Sequence, residues 1–299
     1  MNLEHKIVEE LKTGQCSVER ALLIVSGWKS EEEVAAYQGK LDLMQEYVER
    51  YNSAFENITP VKIAIALFAY LRGYKRDRYN GDFLLAKVID NQLDGNKATV
   101  GNCLGLTSLY SVLGVRLGLD LAILEGKRFS DKSESHVLNV LIADDREIAV
   151  ENTSPYGFNK KLDEFQSKNY VRKGLIDLVG GAYNSRGVAK ASLSDFEGAI
   201  SDYNQALEIN PNSARAYNNR GNAKEKLRDI KGAISDYDQA LGINPNYTYA
   251  YNNRGNAKRN LRDFEGAISD YNLALEINHN FAYAYNNKEL TLKRIKERS

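Results

Sequence analysis

Ala216-Tyr217-Asn218-Asn219-Arg220-Gly221 recurs unchanged as Ala250-Tyr251-Asn252-Asn253-Arg254-Gly255. Ala182-Tyr183-Asn184-Ser185-Arg186-Gly187 precedes the pair and Ala284-Tyr285-Asn286-Asn287-Lys288-Glu289 follows it, so the motif returns every 34 residues. The same interval separates Ala199, Ala233 and Ala267, then Tyr203, Tyr237 and Tyr271, then Ala206, Ala240 and Ala274. Pro211 and Pro245 close the first two units, and His279 takes that slot in the third. A fixed period of this length is the mark of a stacked array, in which each unit buries its apolar face only against its neighbours.

Each unit reads as two helices. The first carries a glycine (Gly187, Gly221 or Gly255) where a second helix must come close. The second, Gly-Ala-Ile-Ser-Asp-Tyr-x-x-Ala-Leu, places apolar residues at helical spacing. Asn-Pro then ends it, because proline cannot continue a helix and biases its predecessor away from one. The 34-residue period with this small, aromatic and proline pattern resembles the tetratricopeptide (TPR) repeat. The resemblance covers 180–299, as units 180–213, 214–247 and 248–281 followed by a polar capping helix near 284–297.

That resemblance implies an all-α superhelix whose concave face is lined by the first helices, and a protein or peptide partner held in the groove. Asn184, Asn218, Asn252 and Asn286 would line it, joined one turn on by Asn222 and Asn256. An amide offers both donor and acceptor, which suits the backbone of an extended peptide. Repeat arrays that grip chaperone C-terminal carboxylates need basic groups in the slots held here by Tyr249 and Asn253, so a carboxylate clamp is not expected.

Upstream of about residue 180 the period is absent. Val34, Tyr37, Leu41, Met44, Val48 and Tyr51 alternate spacings of three and four, and Ser30 with Glu33 has the form of a capping box. Thr59-Pro60 starts a further helix, with proline in the first turn. Another helix is expected over 82–92, and Gly101-Asn102-Cys103-Leu104-Gly105 reads as a loop entering an apolar helix. After Gly118 the pattern turns to strands near 119–125, 135–142 and 147–152, with Asp144-Asp145 as a tight turn. The front half is thus expected to be α+β, helices first and a small antiparallel sheet after. Gly174, Gly180 and Gly181 read as a break before the first repeat, which gives domains 1–178 and 180–299.

Composition narrows the function classes. Forty basic residues balance forty acidic ones, which leaves no electrostatic footprint for nucleic acid or a membrane surface. No apolar run approaches the ~18 residues of a membrane span, and the start of the chain lacks the apolar stretch of a signal peptide. The expectation is a cytoplasmic protein. Two cysteines are too few for a disulfide framework, and three histidines show no metal-ligand spacing. No phosphate-loop or dinucleotide motif occurs, so neither metal nor cofactor is expected.

A Cys/His nucleophilic pair would have to come from Cys16 and Cys103 with His5, His136 and His279. Cys16 and His5 sit on or beside a short N-terminal helix, and His279 holds a repeat position, which leaves Cys103 and His136. A thiol at a helix N-terminus faces unsatisfied N–H groups that stabilise its thiolate and can serve as oxyanion donors. If Asp144 and Asp145 form the turn, residue 143 pairs with 146, and Glu151 lies diagonal to His136 on the same face. A one-residue change of loop would bring Asn152 opposite instead, so both stay open as the group that orients the imidazole.

Gly101-Asn102-Cys103-Leu104-Gly105-Leu106, Arg116-Leu117-Gly118-Leu119, Ser135-His136-Val137-Leu138-Asn139-Val140 and Val150-Glu151-Asn152-Thr153 together resemble the transglutaminase-like superfamily, nearest its SirB1-type branch. The resemblance implies a papain/transglutaminase-like fold over about 30–160 and a catalytic Cys103, His136 and Glu151. It implies a cysteine-dependent acyl-transfer enzyme, hydrolysing or transglutaminating amides, tethered to a peptide-binding array. The alternative is a scaffold whose front domain has kept the fold and lost the reaction.

Overall fold

The computed structural model describes residues 3–28, 30–53, 58–72, 85–93, 103–127, 135–143, 146–150, 158–160 and 170–297. The chain divides into two compact units, Met1–Ala182 and Tyr183–Ser299.

The first unit opens with helices α1 (Leu3–Lys12), α2 (Val18–Val25), α3 (Glu31–Asn52), α4 (Pro60–Arg72), α5 (Leu85–Leu93) and α6 (Cys103–Arg116). Their starts follow local chemistry. Ser30 Oγ accepts from the Glu33 N–H at 3.2 Å and Glu33 Oε2 accepts from the Ser30 N–H at 3.1 Å, completing the capping box on α3. Thr59 Oγ1 accepts from the Lys62 N–H at 3.3 Å, just outside the proline that opens α4. On α3 the stripe Val34, Tyr37, Leu41, Met44 and Val48 is buried. It is core, as the three-four spacing implies.

Helix α6 is apolar on every side and its residues from Leu104 to Gly114 are buried, which makes it the centre of the unit. The Tyr110 hydroxyl donates to the Ala64 carbonyl at 3.1 Å, joining α6 to α4. Its last residue, Arg116, forks onto Glu19 at 2.6 and 2.8 Å and also pairs with Asp42, so one guanidinium ties the end of α6 to α2 and α3.

Strands β1 (Asp120–Lys127), β2 (Ser135–Ala143), β3 (Arg146–Val150), β4 (Phe158–Lys160) and β5 (Tyr170–Lys173) form one sheet in the order β4-β3-β2-β1-β5, antiparallel throughout. Ala143 pairs with Arg146 and Asn139 with Val150, the register that a turn at Asp144-Asp145 demands. The two edge strands were not expected from the sequence. Alternation along β2 separates two environments. Asn139 Nδ2 donates to Ser111 Oγ of α6 at 2.6 Å, while Leu138 and Val140 pack with Ala122 and Ala149. Close approach of α6 to β1 needs Gly114, where a Cβ would stand 2.5 Å from Leu121 Cδ1.

Helix α7 (Ile176–Ser192) contains the division between the units. The reading of Gly180 and Gly181 as a break is corrected here: both lie inside α7. A Cβ on Gly181 would meet Leu104 Cδ1 at 3.3 Å, so this glycine serves close packing and not chain reversal.

From Tyr183 on, the second unit is all helix: the rest of α7, then α8 (Phe196–Ile209), α9 (Ala214–Lys226), α10 (Ile230–Ile243), α11 (Thr248–Asn260), α12 (Phe264–Ile277) and α13 (Ala282–Lys296). Asp195, Asp229 and Asp263 cap the second helix of each pair, accepting from Gly198, Gly232 and Gly266 N–H at 2.9 Å. The residue before each cap (Ser194, Arg228 or Arg262) turns the chain with φ of 65 to 69°. At Gly187, Gly221 and Gly255 a Cβ would stand 2.6 Å from Cε1 of Tyr203, Tyr237 and Tyr271, so the glycine of the first helix admits the tyrosine of the second. Tyr237 packs in turn with Ala257 of the next pair, which couples neighbours through their cores.

Candidate functional site

The asparagines of the recurring hexapeptide lie on the first helix of each pair, and packing uses most of them. Asn219 Nδ2 donates to Asn184 Oδ1 at 3.1 Å, Asn253 to Asn218 at 3.0 Å and Asn287 to Asn252 at 2.9 Å. Asn218 and Asn252 are only 4% and 6% exposed, against the expectation that they stand free in a groove. An amide is a satisfactory buried group when a second amide meets it, and the array supplies that partner from the next pair. Asn222 and Asn256 are tied differently, accepting from the Tyr237 and Tyr271 hydroxyls at 2.7 and 2.9 Å. Asn184 is half-buried, and Asn222 and Asn286 are exposed.

Beside this seam runs a set of charges that the sequence reading did not single out. Arg186, Arg220 and Arg254 each fork onto an aspartate of the second helix, Asp202, Asp236 and Asp270, with N···O distances from 2.6 to 3.0 Å. Lys190, Lys224 and Lys258 reach the same carboxylates at 3.0, 2.8 and 2.8 Å. The aspartate side chains are 2 to 4% exposed, so these are buried ion triads and not surface pairs. The signal that could have found them is a constant separation of opposite charges, 16 residues in all three units.

The array also presents exposed aromatic rings. Tyr247, Tyr249, Phe281 and Tyr283 form a continuous run with ring centroids 6.4, 5.0 and 5.6 Å apart. Tyr249 is 47% exposed, Tyr283 65% and Tyr285 53%; Tyr249 lies on α11, the first helix of the third pair, and the other two on the final helix α13. Tyrosines presented this way combine apolar area with a hydroxyl handle, the combination that favours partner surfaces.

In the first unit, Cys103 is the first residue of α6, and His136 is the second residue of β2, opposite Gly126. Glu151 and Asn152 lie outside the described residues, as do the side chains of Cys103 and His136. The other thiol has a plain role. Cys16 is buried, and burial pushes its pKa up, with Arg20 opposing and Glu10 adding to the shift. A desolvated thiol of this kind is a packing residue.

Family models match the second unit: a TPR-repeat model over residues 182–227 and a tetratricopeptide-repeat model over 214–247 and again over 248–281. Among solved structures, the chain is similar to the first TPR of Spaghetti (RPAP3) bound to the HSP90 peptide SRMEEVD, at 26% identity over 39% of this chain and 93% of that one, with a TM-score of 0.38. It is also similar to the Sgt2 TPR domain from Aspergillus fumigatus, at 27% identity over 40% and 80% of the two chains and a TM-score of 0.39. The Arabidopsis OM64 TPR domain stands at 24% identity over 40% and 98%, with a TM-score of 0.39. No curated protein matches the chain. No described helix is long and apolar enough to cross a membrane. Period, paired helices and both family models agree: residues 182–281 of this chain are tetratricopeptide repeats.

Proposed function

We propose that the chain is a protein-binding scaffold whose repeat array holds an extended, largely uncharged peptide segment of a partner. The observation that carries this reading is the pair of exposed tyrosines Tyr249 and Tyr283, joined through Phe281 on α11 and α13, with exposed Tyr285 on the same final helix, while Asn218 and Asn252 of the array are buried. The tyrosines supply contact area. The exposed amides of Asn222 and Asn286 supply backbone hydrogen bonds. Asn218 and Asn252 act indirectly, by fixing the spacing of adjacent helices.

Screening a peptide library against the full chain tests the assignment. Tyr249→Ala with Tyr283→Ala is expected to weaken the best ligand by about 10-fold, since truncating exposed aromatic anchors costs on the order of 1–2 kcal/mol. The melting temperature should fall by a few degrees only, since both rings also rest on Phe281, and circular dichroism should show the helices intact. Asn218→Ala with Asn252→Ala should lower binding and melting temperature together, by roughly 1 kcal/mol for each amide left without its partner. Unchanged affinity in the tyrosine double variant would remove the aromatic run from the mechanism. Selection of acidic C-termini would replace this reading with a carboxylate clamp.

A second reading concerns the first unit, which we propose as a separate domain of transglutaminase-like ancestry, built for acyl transfer by Cys103, His136 and Glu151 or Asn152. What favours it is the start of α6 at the cysteine. Iodoacetamide at neutral pH decides the point. An activated Cys103 should be alkylated at least about 10-fold faster than buried Cys16, and His136→Ala should remove most of that advantage. Equal, slow labelling of both thiols would leave only the scaffold.

A further inference from the structure

The seam between the second and third repeats and the seam that follows the third carry different charges at equivalent positions. At the first of these, Glu225 Oε1 accepts from Asn260 Nδ2 at 2.9 Å and its Oε2 accepts from the Tyr237 hydroxyl at 3.2 Å. Moving on by 34 residues, Glu225 becomes Arg259 and Asn260 becomes Arg294. The bonded acid and amide are thus replaced by two cations. Arg262 of the adjoining turn joins them, and the three line one open cleft of about 500 Å³ with Asn260, Phe264 and Glu297.

These arginines are under-used within the chain. Among the described residues the guanidinium groups of Arg262 and Arg294 have no ion-pair or hydrogen-bond partner. Arg259 reaches only the Asn287 carbonyl and amide oxygen, each at 3.5 Å, and its Nε is shielded from solvent without an acceptor. A buried guanidinium N–H left without an acceptor forfeits a charge-assisted bond, a cost that a bound oxyanion would remove. Glu225 lowers the local potential somewhat, since it feels Arg259, but it is held by Tyr237 and Asn260 in the preceding seam.

We propose that this cleft binds a phosphomonoester dianion, carried either by a phosphorylated side chain of a partner protein or by a small phosphate ester. Three lining arginines outnumber the lining carboxylate of Glu297, and the cleft stays positive with Glu225 of the preceding seam counted too, so a phosphate with its three terminal oxygens uses these donors more fully than a carboxylate with two. Planar guanidinium forks suit phosphate oxygens, and Phe264 adds apolar surface to the lining. The site does not depend on the aromatic run, so either can fail alone.

Calorimetric titration of the full chain with inorganic phosphate, a phosphoserine peptide and the same peptide carrying glutamate tests the proposal. Saturable binding of phosphate and of the phosphopeptide is expected, each weakened at least about 10-fold by Arg294→Gln and by Arg259→Gln. Arg262→Gln, at an exposed turn, serves as a variant whose folding is not in question, and it should weaken binding as well. Phosphate binding without phosphopeptide binding supports the cleft as a site for small phosphate esters. Equal affinity for the glutamate peptide, no saturation by any phosphate ligand, or binding indifferent to all three substitutions overturns it.

Discussion

Replacing Asp236 with alanine is expected to lower the melting temperature of the repeat array by roughly 10 °C, the equivalent of about 3 kcal/mol. The carboxylate is 4% exposed and accepts from Arg220 at 2.9 and 2.6 Å and from Lys224 at 2.8 Å. Its removal leaves two cations at the junction of α9 and α10 with no counter-charge. Loss of one partner from a fully buried pair costs about 3–5 kcal/mol. The low end applies here because Arg220 and Lys224 are 19% and 23% exposed and water can reach them. Glu46→Ala is the comparison. Its partner Arg50 is 81% exposed and Glu46 itself 56%, so that change should cost less than about 0.5 kcal/mol. Equal melting of the two variants would show that the triads do not hold the helix pairs together.

Gly221→Ala and Gly242→Ala should have opposite signs. Both glycines are helical, so alanine gains up to about 1 kcal/mol of backbone propensity at either. At Gly242 nothing stands within 4 Å of the new methyl, and the array should be slightly stabilised. At Gly221 the methyl would lie 2.6 Å from Tyr237 Cε1 and 3.0 Å from Cδ1. That ring is fully buried and its hydroxyl is bonded to Asn222 and Glu225, so it cannot step aside without breaking those bonds. Overpacking of this kind costs about 1–3 kcal/mol, which outweighs the propensity gain. Denaturant titration of both variants reads the sign directly, and a stabilised Gly221→Ala would mean that the helices are free to move apart.

Local rules gave much of this fold from sequence. Ser30 with Glu33, Thr59 before Pro60 and the 34-residue period each name a helix start or pair by chemistry within a few residues, and the structure places helices there. The β2–β3 register was legible because pairing residue 143 with 146 sets every later pair, and Ala143 does pair with Arg146. Edge strands β4 and β5 were not, since Phe-Asn-Lys and Tyr-Val-Arg-Lys are too short to show alternation and are strands only because a neighbour offers a free edge. Gly180 and Gly181 misled for a related reason. Glycine favours a break in isolated chain, whereas α7 uses it to bring its backbone against Leu104. Burial of Asn218 and Asn252 was hidden because each partner amide lies 35 residues away, one step off the period, on the neighbouring helix. Polarity alone placed those side chains in solvent. The candidate thiol residues were legible only as a helix start and a strand position.

The seam of paired amides also sets how the array gives way under load. Each bond joins one unit only to the next: Asn184 to Asn219, Asn218 to Asn253, Asn252 to Asn287. Tension along the array passes from unit to unit through links of one kind, two of them joined to each other by the 3.3 Å bond from Asn252 Nδ2 to Asn253 Oδ1. With contacts made mainly between neighbours, such an array is expected to give way in steps and not all at once. Length and compliance therefore rise together, and a longer array of these same units would be a softer spring with an unchanged breaking force per step.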